Sequence, residues 1–451
     1  MARASDSIRP AASAPDPEAD RRSPTLRRET EPPERSLYRG LSLRKISLLK
    51  MPTGKEWFTS VRVTGRNILR KLGGEEVVAF VPYPLPPSNP PLQIDGARAA
   101  LLGRAEQALA RLEVAGEMVP SLDWFIYAFV RKEAVVSSQI EGTQATLIDL
   151  FEYEAEAERD DSRPPEDIGE VCNYLEALKY ARDQLARPKG LPLSMRLLHE
   201  THRRLMRGVR GANKQPGEVR RSQNWIGGTR PGNAAFVPPP PEDVPALLGD
   251  LEKHLHAADK LPPLVRIGLA HVQFETIHPY LDGNGRIGRL LITLLLEHWH
   301  QLRAPLLYLS LFFKRHRTEY YRLLGGVRAT GDWESWTDFF LEGVATIADE
   351  AVATARDVFA LVNTDRQRVL AASTASVVAV RLLEQLPVHP VVTIPAIVNL
   401  LETTKPTAGK AVQLLEKIGV LVETSGKRRD RTFAYQRYLD RLRAGTELDD
   451  R

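Results

Sequence analysis

The sequence predicts a mainly α-helical protein: a large helical domain with a β-hairpin flap set into it, then a small C-terminal winged helix-turn-helix. Three observations lead there. From about residue 95 to 372, segment after segment places apolar residues three and four apart, the period of one helix face. Residues 217–241 interrupt that rhythm with Gly and Pro between two short β-like pieces. After 372 come three short helical segments, then two strand-like pieces about a basic turn.

A chain of 451 residues can hold two or three domains with a substantial core. Its 43% hydrophobic and 26% charged residues are ordinary for a globular protein. A formal charge of +5 over this length does not by itself argue for nucleic acid. Cys172 is the single cysteine, which excludes an intrachain disulfide and a cysteine-based metal site and fits a reducing cytoplasm. The longest apolar run, 290–296, is too short to span a bilayer, so no membrane partner is expected. The arginines near the start have no apolar stretch beside them, unlike a secretory leader.

Residues 1–50 are rich in Pro, Arg, Glu, Asp and Ser and are expected to be disordered. Residues 51–95 are expected to form an extended, proline-rich arm, because prolines crowd 75–94 and oppose both helix and sheet. Helices are expected at 95–112, 121–140, 144–157, 165–186 and 194–209, making 96–215 the N-terminal part of the helical domain. Short strands at 224–226 and 234–237 would form the flap within 217–241. Helices at 242–257, 262–277, 286–301, 314–326 and 332–348, with a longer one to 372, complete a core spanning 216–372. In 373–451, helices are expected at 376–385, 394–402 and 407–418, and strands at 420–423 and 432–435. Exposed Lys405 and Lys410 and the turn Lys427-Arg428-Arg429 could meet DNA phosphates across 394–431, although such modules also serve protein contacts.

The chemistry concentrates in His278-Pro-Tyr-Leu-Asp282-Gly283-Asn284-Gly285-Arg286-Ile287-Gly288-Arg289. Arg286 and Arg289 lie three apart on the first turn of a helix, where cations oppose the dipole. They call for an anion at that helix start, and Gly283-Asn284-Gly285 can turn backbone amides toward one. Asp282 adds a hard oxygen ligand suited to Mg²⁺ beside a phosphate. His278, with a near-neutral pKa, can take a proton from a hydroxyl. Together these residues suggest transfer of a phosphate-bearing group to a hydroxyl. The glycine spacing also fits a dinucleotide fingerprint, but a helical pattern with Pro279 precedes it where that motif needs a strand. The pairs His199/His202, His254/His256 and His298/His300 read as surface or packing residues.

A second stretch stands out, Ser137-Ser-Gln-Ile-Glu141-Gly142, at the end of the 121–140 helix. Gly142 is placed to close the helix. Ser137 and Glu141 share a face, and Glu141 opposes the dipole at a helix C-terminus. It is either a solvated surface acid or a carboxylate that receives a cation from elsewhere.

HPYLDGNGRIGR resembles the signature of the Fic (filamentation induced by cAMP) family, His-Pro-Phe-x-Asp/Glu-Gly-Asn-Gly-Arg-x-x-Arg, with Tyr280 in place of Phe. The likeness extends over about 75–360, through SSQIEGTQAT, the QNWIGG and FVPPPP segments and YLSLFFKRHRTEYYRLL. By that resemblance His278 is the general base toward a Ser, Thr or Tyr hydroxyl of a target protein. Asp282 holds Mg²⁺ on the phosphates of ATP. Gly283, Asn284 and Gly285 form the anion hole, Arg286 meets the β-phosphate and Arg289 the γ-phosphate, with Ile287 and Gly288 in the same nucleotide-binding run. Asn233, Ala234, Ala235 and Phe236 form the flap that pairs with the target's backbone, and Val237 helps cover the nucleotide. Tyr320 and Arg328 fall where family members contact adenosine. Ser137, Glu141 and Gly142 resemble the family's inhibitory motif, which implies that Glu141 pairs with Arg289 and blocks the γ-phosphate.

The implied activity is protein adenylylation, with ATP as substrate and Mg²⁺ as cofactor, in a homodimer. Removal of AMP at the same site and a nucleotide-sensing DNA-binding regulator are the alternatives.

Overall fold

In the computed structural model, residues 62–448 are described, except 118–120, 158–163, 375 and 428. Residues 1–50, expected to be disordered, lie outside them.

The expected arm begins instead as a β-hairpin. Strands β1 (Gly65–Leu72) and β2 (Glu75–Pro82) pair antiparallel about Gly73-Gly74, whose φ values of 58° and 85° only glycine adopts without strain. Val77, Val78, Phe80 and Val81 favour a strand, and no proline intrudes before Pro82. Beyond it, from residue 83 to 95, the chain runs without helix, with an isolated bridge between Ser88 and Pro91.

The first helices are α1 (Gly96–Glu117), α2 (Leu122–Ile140), α3 (Leu147–Ala157), α4 (Glu166–Ala186) and α5 (Met195–Leu205). Then follow α6 (Val244–His256), α7 (Pro263–Ile277), α8 (Asn284–His298), α9 (Ser310–Arg315), α10 (Arg317–Thr330) and α11 (Trp333–Ala371). The expected break in the last of these is absent: α11 is one helix of 39 residues. Its sequence has no proline, and its one glycine, Gly343, lies against the Phe312 ring where a Cβ would come within 2.7 Å. The expected helix 314–326 is instead broken at His316 into α9 and α10. At the centre lies α7, buried from Leu264 through Ile277, with α8 packed beside it.

The flap is less regular than expected. One bridge joins Ile226 and Phe236, and a 3-10 turn spans Pro231–Asn233. Prolines 238–241 have no N–H to extend the ladder. The flap instead leans on β2, where the Phe80 amide donates to Val237 O at 3.0 Å. Val237 is buried in a small apolar cluster with Val77 and Ala79.

The C-terminal elements are α12 (Val377–Gln385), β3 (Val391–Thr393), α13 (Ile394–Leu401), α14 (Lys405–Lys417), β4 (Val422–Glu423), β5 (Thr432–Ala434) and α15 (Gln436–Leu442). The sheet order is β3-β5-β4, antiparallel throughout. Both β3 and α15 escaped the sequence reading, being only 3 and 7 residues long. This region is fastened to α11 through buried Asp365, which accepts from Tyr435 Oη at 2.7 Å and also from Arg437. Among the described residues, no helix is long and apolar enough to cross a membrane.

Candidate active site

The loop between α7 and α8 is held from three directions. His278 ends α7 in the left-handed conformation, φ 49°, uncommon for a residue with a Cβ and typical of functional turns. Its carbonyl accepts from Arg220 Nε at 2.9 Å. Arg220 is 1% exposed and also donates to Pro239 O at 2.6 Å, so one side chain joins the base of the 217–241 segment to the His278 turn. Asn284 Oδ1 accepts from the Tyr280 amide and Asn284 Nδ2 donates to the Tyr280 carbonyl, both at 2.8 Å. The expected anion-hole role of Asn284 therefore cannot use its side chain as placed; that amide locks the loop. Tyr280 is buried, with its hydroxyl 2.9 Å from His199 Nδ1 and its ring stacked on His202 at 3.8 Å. His202 Nδ1 accepts from the Gly217 amide, so Nε2 carries the proton and donates to Asp282 O at 2.9 Å. His199 and His202 are thus packing residues with a task, the support of the loop.

Helix α8 starts at Asn284, two residues earlier than expected. Gly283 precedes it at φ 75°, and the first helical bond runs from Ile287 N to Gly283 O at 3.1 Å. The amides of Asn284, Gly285 and Arg286 precede that ladder, the arrangement that receives anions at helix starts.

Both loop arginines are buried and paired. Arg289 donates to Glu141 Oε1 at 2.6 Å and to Ser137 Oγ and O at 2.9 Å each. Helix α2 places that carboxylate through its own termination. Gly142 at φ 97° turns the chain; the Gly142 amide donates to Gln139 O and the Thr143 amide to Ser138 O, the paired bonds of a Schellman cap. Gly285 leaves room for the acid, since a Cβ there would stand 2.1 Å from Glu141 Oε1. Burial works to raise the Glu141 carboxyl, but Arg289, with Arg286 and His278, holds it below the ordinary range. Arg286 pairs with Glu170 of α4 at 3.1 Å, both side chains almost fully buried. Glu170 also accepts from Thr143 Oγ1 at 2.7 Å and meets Arg210 at 3.2 Å. No local pattern marked Glu170, because its partners are 27 to 116 residues away.

His278 differs from the near-neutral expectation. Burial, then the Arg220 charge, press it down to about 4 against the opposing pull of Glu141. Its Nδ1 is buried, and that burial favours the uncharged ring. Glu275, one turn earlier, is raised to about 7 by burial against the pull of Arg289. Its carboxylate lies against Gly288, where a Cβ would stand 2.3 Å from Oε1.

Asp282 is half-buried. Its Oδ1 accepts from the Gly283 amide at 2.7 Å, and Oδ2 faces Lys214 Nζ at 2.9 Å. Burial raises this carboxyl, yet Lys214, Gly283 N and Arg286 bring it below its usual value. No group of three or more His, Cys, Asp or Glu among the described residues could hold a metal. One carboxylate at an anion-receiving helix start fits Mg²⁺ that arrives on phosphates.

The remaining predicted residues lie farther from the loop's chemistry. Tyr320, expected at adenosine, is 1% exposed and bonds His271 Nε2 at 2.8 Å; it presents no surface to a ligand. Its neighbour Tyr321 is 44% exposed and sits within the electrostatic reach of Glu141 and Arg289. Arg328 covers the ring of flap residue Phe236 at 3.9 Å. Asn233 shapes the flap turn, accepting from the Thr229 and Arg230 amides at 3.0 Å. Ala234 and Ala235 follow it, and the Ala235 amide donates to Ile226 O.

A helical scaffold thus brings together a buried histidine, a carboxylate, a glycine-opened helix start and two buried arginines, with the irregular 217–241 segment tied to them through Arg220. That defines a class, helical proteins with free helix-start amides and cations able to receive an anion. Residues 99–183 match the Fic/DOC family N-terminal region and residues 192–296 match the Fic/DOC family. The chain is 31% identical over 189 residues to the protein adenylyltransferase Fic of Drosophila grimshawi, covering 41% of this chain and 35% of that protein. The same protein of Drosophila willistoni is also 31% identical over 189 residues, 41% and 34% of the two chains. The chain therefore spans about a third of the length of these curated relatives. The crystal structure of a Fic family protein from Desulfovibrio desulfuricans G20 shares the fold, with a TM-score of 0.50 over 76% of this chain and 97% of that one at 22% identity.

Proposed function

We propose that this protein is a protein adenylyltransferase, held idle by Glu141. His278 takes the proton of a target hydroxyl, the oxygen attacks the α-phosphorus of ATP, and pyrophosphate leaves. Arg286, Arg289 and the amides at the start of α8 offset phosphate charge, so catalysis rests on positioning and electrostatics. Mg²⁺, held by Asp282, would supply further charge neutralisation on the phosphates. The single observation that carries the inhibition is the 2.6 Å contact of Glu141 with Arg289: the guanidinium best suited to a terminal phosphate already has an anion.

Incubation with labelled ATP and Mg²⁺ tests both parts. His278→Ala should abolish label transfer, and Glu141→Gly should raise it several-fold. Undiminished labelling in His278→Ala would sink the mechanism; an unchanged Glu141→Gly would sink the inhibition. The same protein incubated with an AMP-modified target distinguishes the reverse reaction, which would depend on Glu141.

A second reading concerns the C-terminal region, whose element order suits a winged helix. Lys405, Lys410, Gln413 and Lys417 are all exposed on α14 without an acid among them, which favours contact with DNA phosphates. Duplex binding should fall with salt and vanish in Lys405→Glu/Lys410→Glu.

A further inference from the structure

The stretch Arg210–Gly217, after α5, carries two cations that the sequence reading passed over, Arg210 and Lys214. Its start and end are fixed. The Gly217 amide donates to His202, and Arg210 bonds both the Glu141 carbonyl, at 3.3 Å, and Glu170. Between them Gly211, at φ 83°, lies so close to Asp282 that a Cβ would stand 2.8 Å from Oδ2. The Lys214 amide closes a turn on Gly211 O at 2.9 Å. That turn brings Lys214 Nζ to 2.9 Å from the same Oδ2. The other carboxylate oxygen is taken by the Gly283 amide. The oxygen without a backbone donor is thus the one Lys214 covers.

Building on the metal role proposed for Asp282, we infer that Lys214 is a positioning residue that occupies the cation place on Asp282 until Mg²⁺ arrives with a nucleotide. A lone carboxylate holds a divalent cation weakly, and a fixed ammonium on the same oxygen competes with it directly. The phosphates of ATP tip this balance in two ways. They bring further oxygen ligands for the metal, and they give the displaced ammonium new anions to meet. Lys214 is half-exposed, so it can swing aside without opening the core. Free divalent cation is thereby kept off Asp282, and the metal enters as the nucleotide complex.

The test is titration of the full-length protein with MnCl₂, without nucleotide, read by electron paramagnetic resonance. Lys214→Ala should bind Mn²⁺ on the order of fivefold more tightly than the parent, the ratio an exposed ion pair is worth. Lys214→Arg should behave like the parent, and Lys214→Ala/Asp282→Asn should lose the gain. Equal Mn²⁺ binding by Lys214→Ala and the parent overturns the inference, whether both bind or neither does. If Mn²⁺·ATP then still binds in an Asp282-dependent way, the metal role of Asp282 survives that failure. A gain that persists in the double variant removes Asp282 as the ligand and overturns both. Thermal unfolding of each variant confirms that the fold is intact.

Discussion

At the scale of single residues, the site is a set of buried charges that answer one another. Arg289 would be costly to bury alone; Glu141, Ser137 and the end of α2 supply what it needs. The same burial sets the state of His278. Because its pKa lies at about 4, label transfer by Glu141→Gly should stay level from pH 8 down to about 5. Removing Glu141 takes away a charge that raises this histidine, so the variant's acid limb shifts lower still. A limb centred near 6.5 in the pH profile of initial labelling rates would contradict the burial argument. The motif residues were legible in the sequence because a dozen consecutive positions carry them. Glu170, Arg220 and Lys214 were not, because their roles depend on partners brought from other elements.

At the scale of elements, the 278–289 loop depends on how two helices end and one begins. Tyr280 stands where the Fic signature it resembles has Phe, and its hydroxyl has a use in the bond to His199. Tyr280→Phe should cost about 1 kcal/mol of stability by denaturant unfolding, with labelling by the Glu141→Gly background preserved. Gly288→Ala is different. Its Cβ would meet the Glu275 carboxylate and Phe274, so overpacking should cost roughly 1–3 kcal/mol, and the midpoint of thermal unfolding should fall. Helix positions followed from apolar periodicity because the faces are long. The β1–β2 hairpin was missed because the prolines after Pro82 were allowed to speak for the strand before it. The junction of α9 and α10 was missed because one apolar pattern crosses it.

At the scale of the molecule, a C-terminal segment reaches the turn that ends α2. Gln139, two residues before Glu141, donates to Thr446 O at 2.8 Å and Ala145 O at 2.9 Å and accepts from Lys314 at 2.9 Å. Thr446 is buried. Gln139→Ala should loosen the end of α2 and raise labelling in the parent, yet add nothing in Glu141→Gly; an equal rise in both backgrounds would show that Gln139 acts elsewhere. Acid should destabilise the whole fold. Six histidines, His199, His202, His254, His271, His278 and His298, lie below their ordinary value, first through burial. Below about pH 6.5 the unfolded chain protonates them while the native one does not, so stability is lost as pH falls. Glu133, Glu152, Glu275 and Glu297 are raised by burial and oppose this above about pH 4.5, where unfolding releases their protons. The histidines outnumber them, so the thermal midpoint should climb between pH 4.5 and 6.5.

By itself the sequence determined the helical class and the charged, glycine-rich loop 278–289, and it marked Glu141 as a carboxylate at a helix end. Those follow from local spacing, since periodicity and contiguous motifs are properties of the chain; the pairing of Glu141 with Arg289 came only from the resemblance. The tertiary structure decided which cation each carboxylate meets, that His278 is buried, and that Tyr321 rather than Tyr320 is exposed. It also decided that the last residues of the chain brace a turn three hundred positions earlier. Such facts come from burial and from contacts between distant segments, which only the packed fold creates.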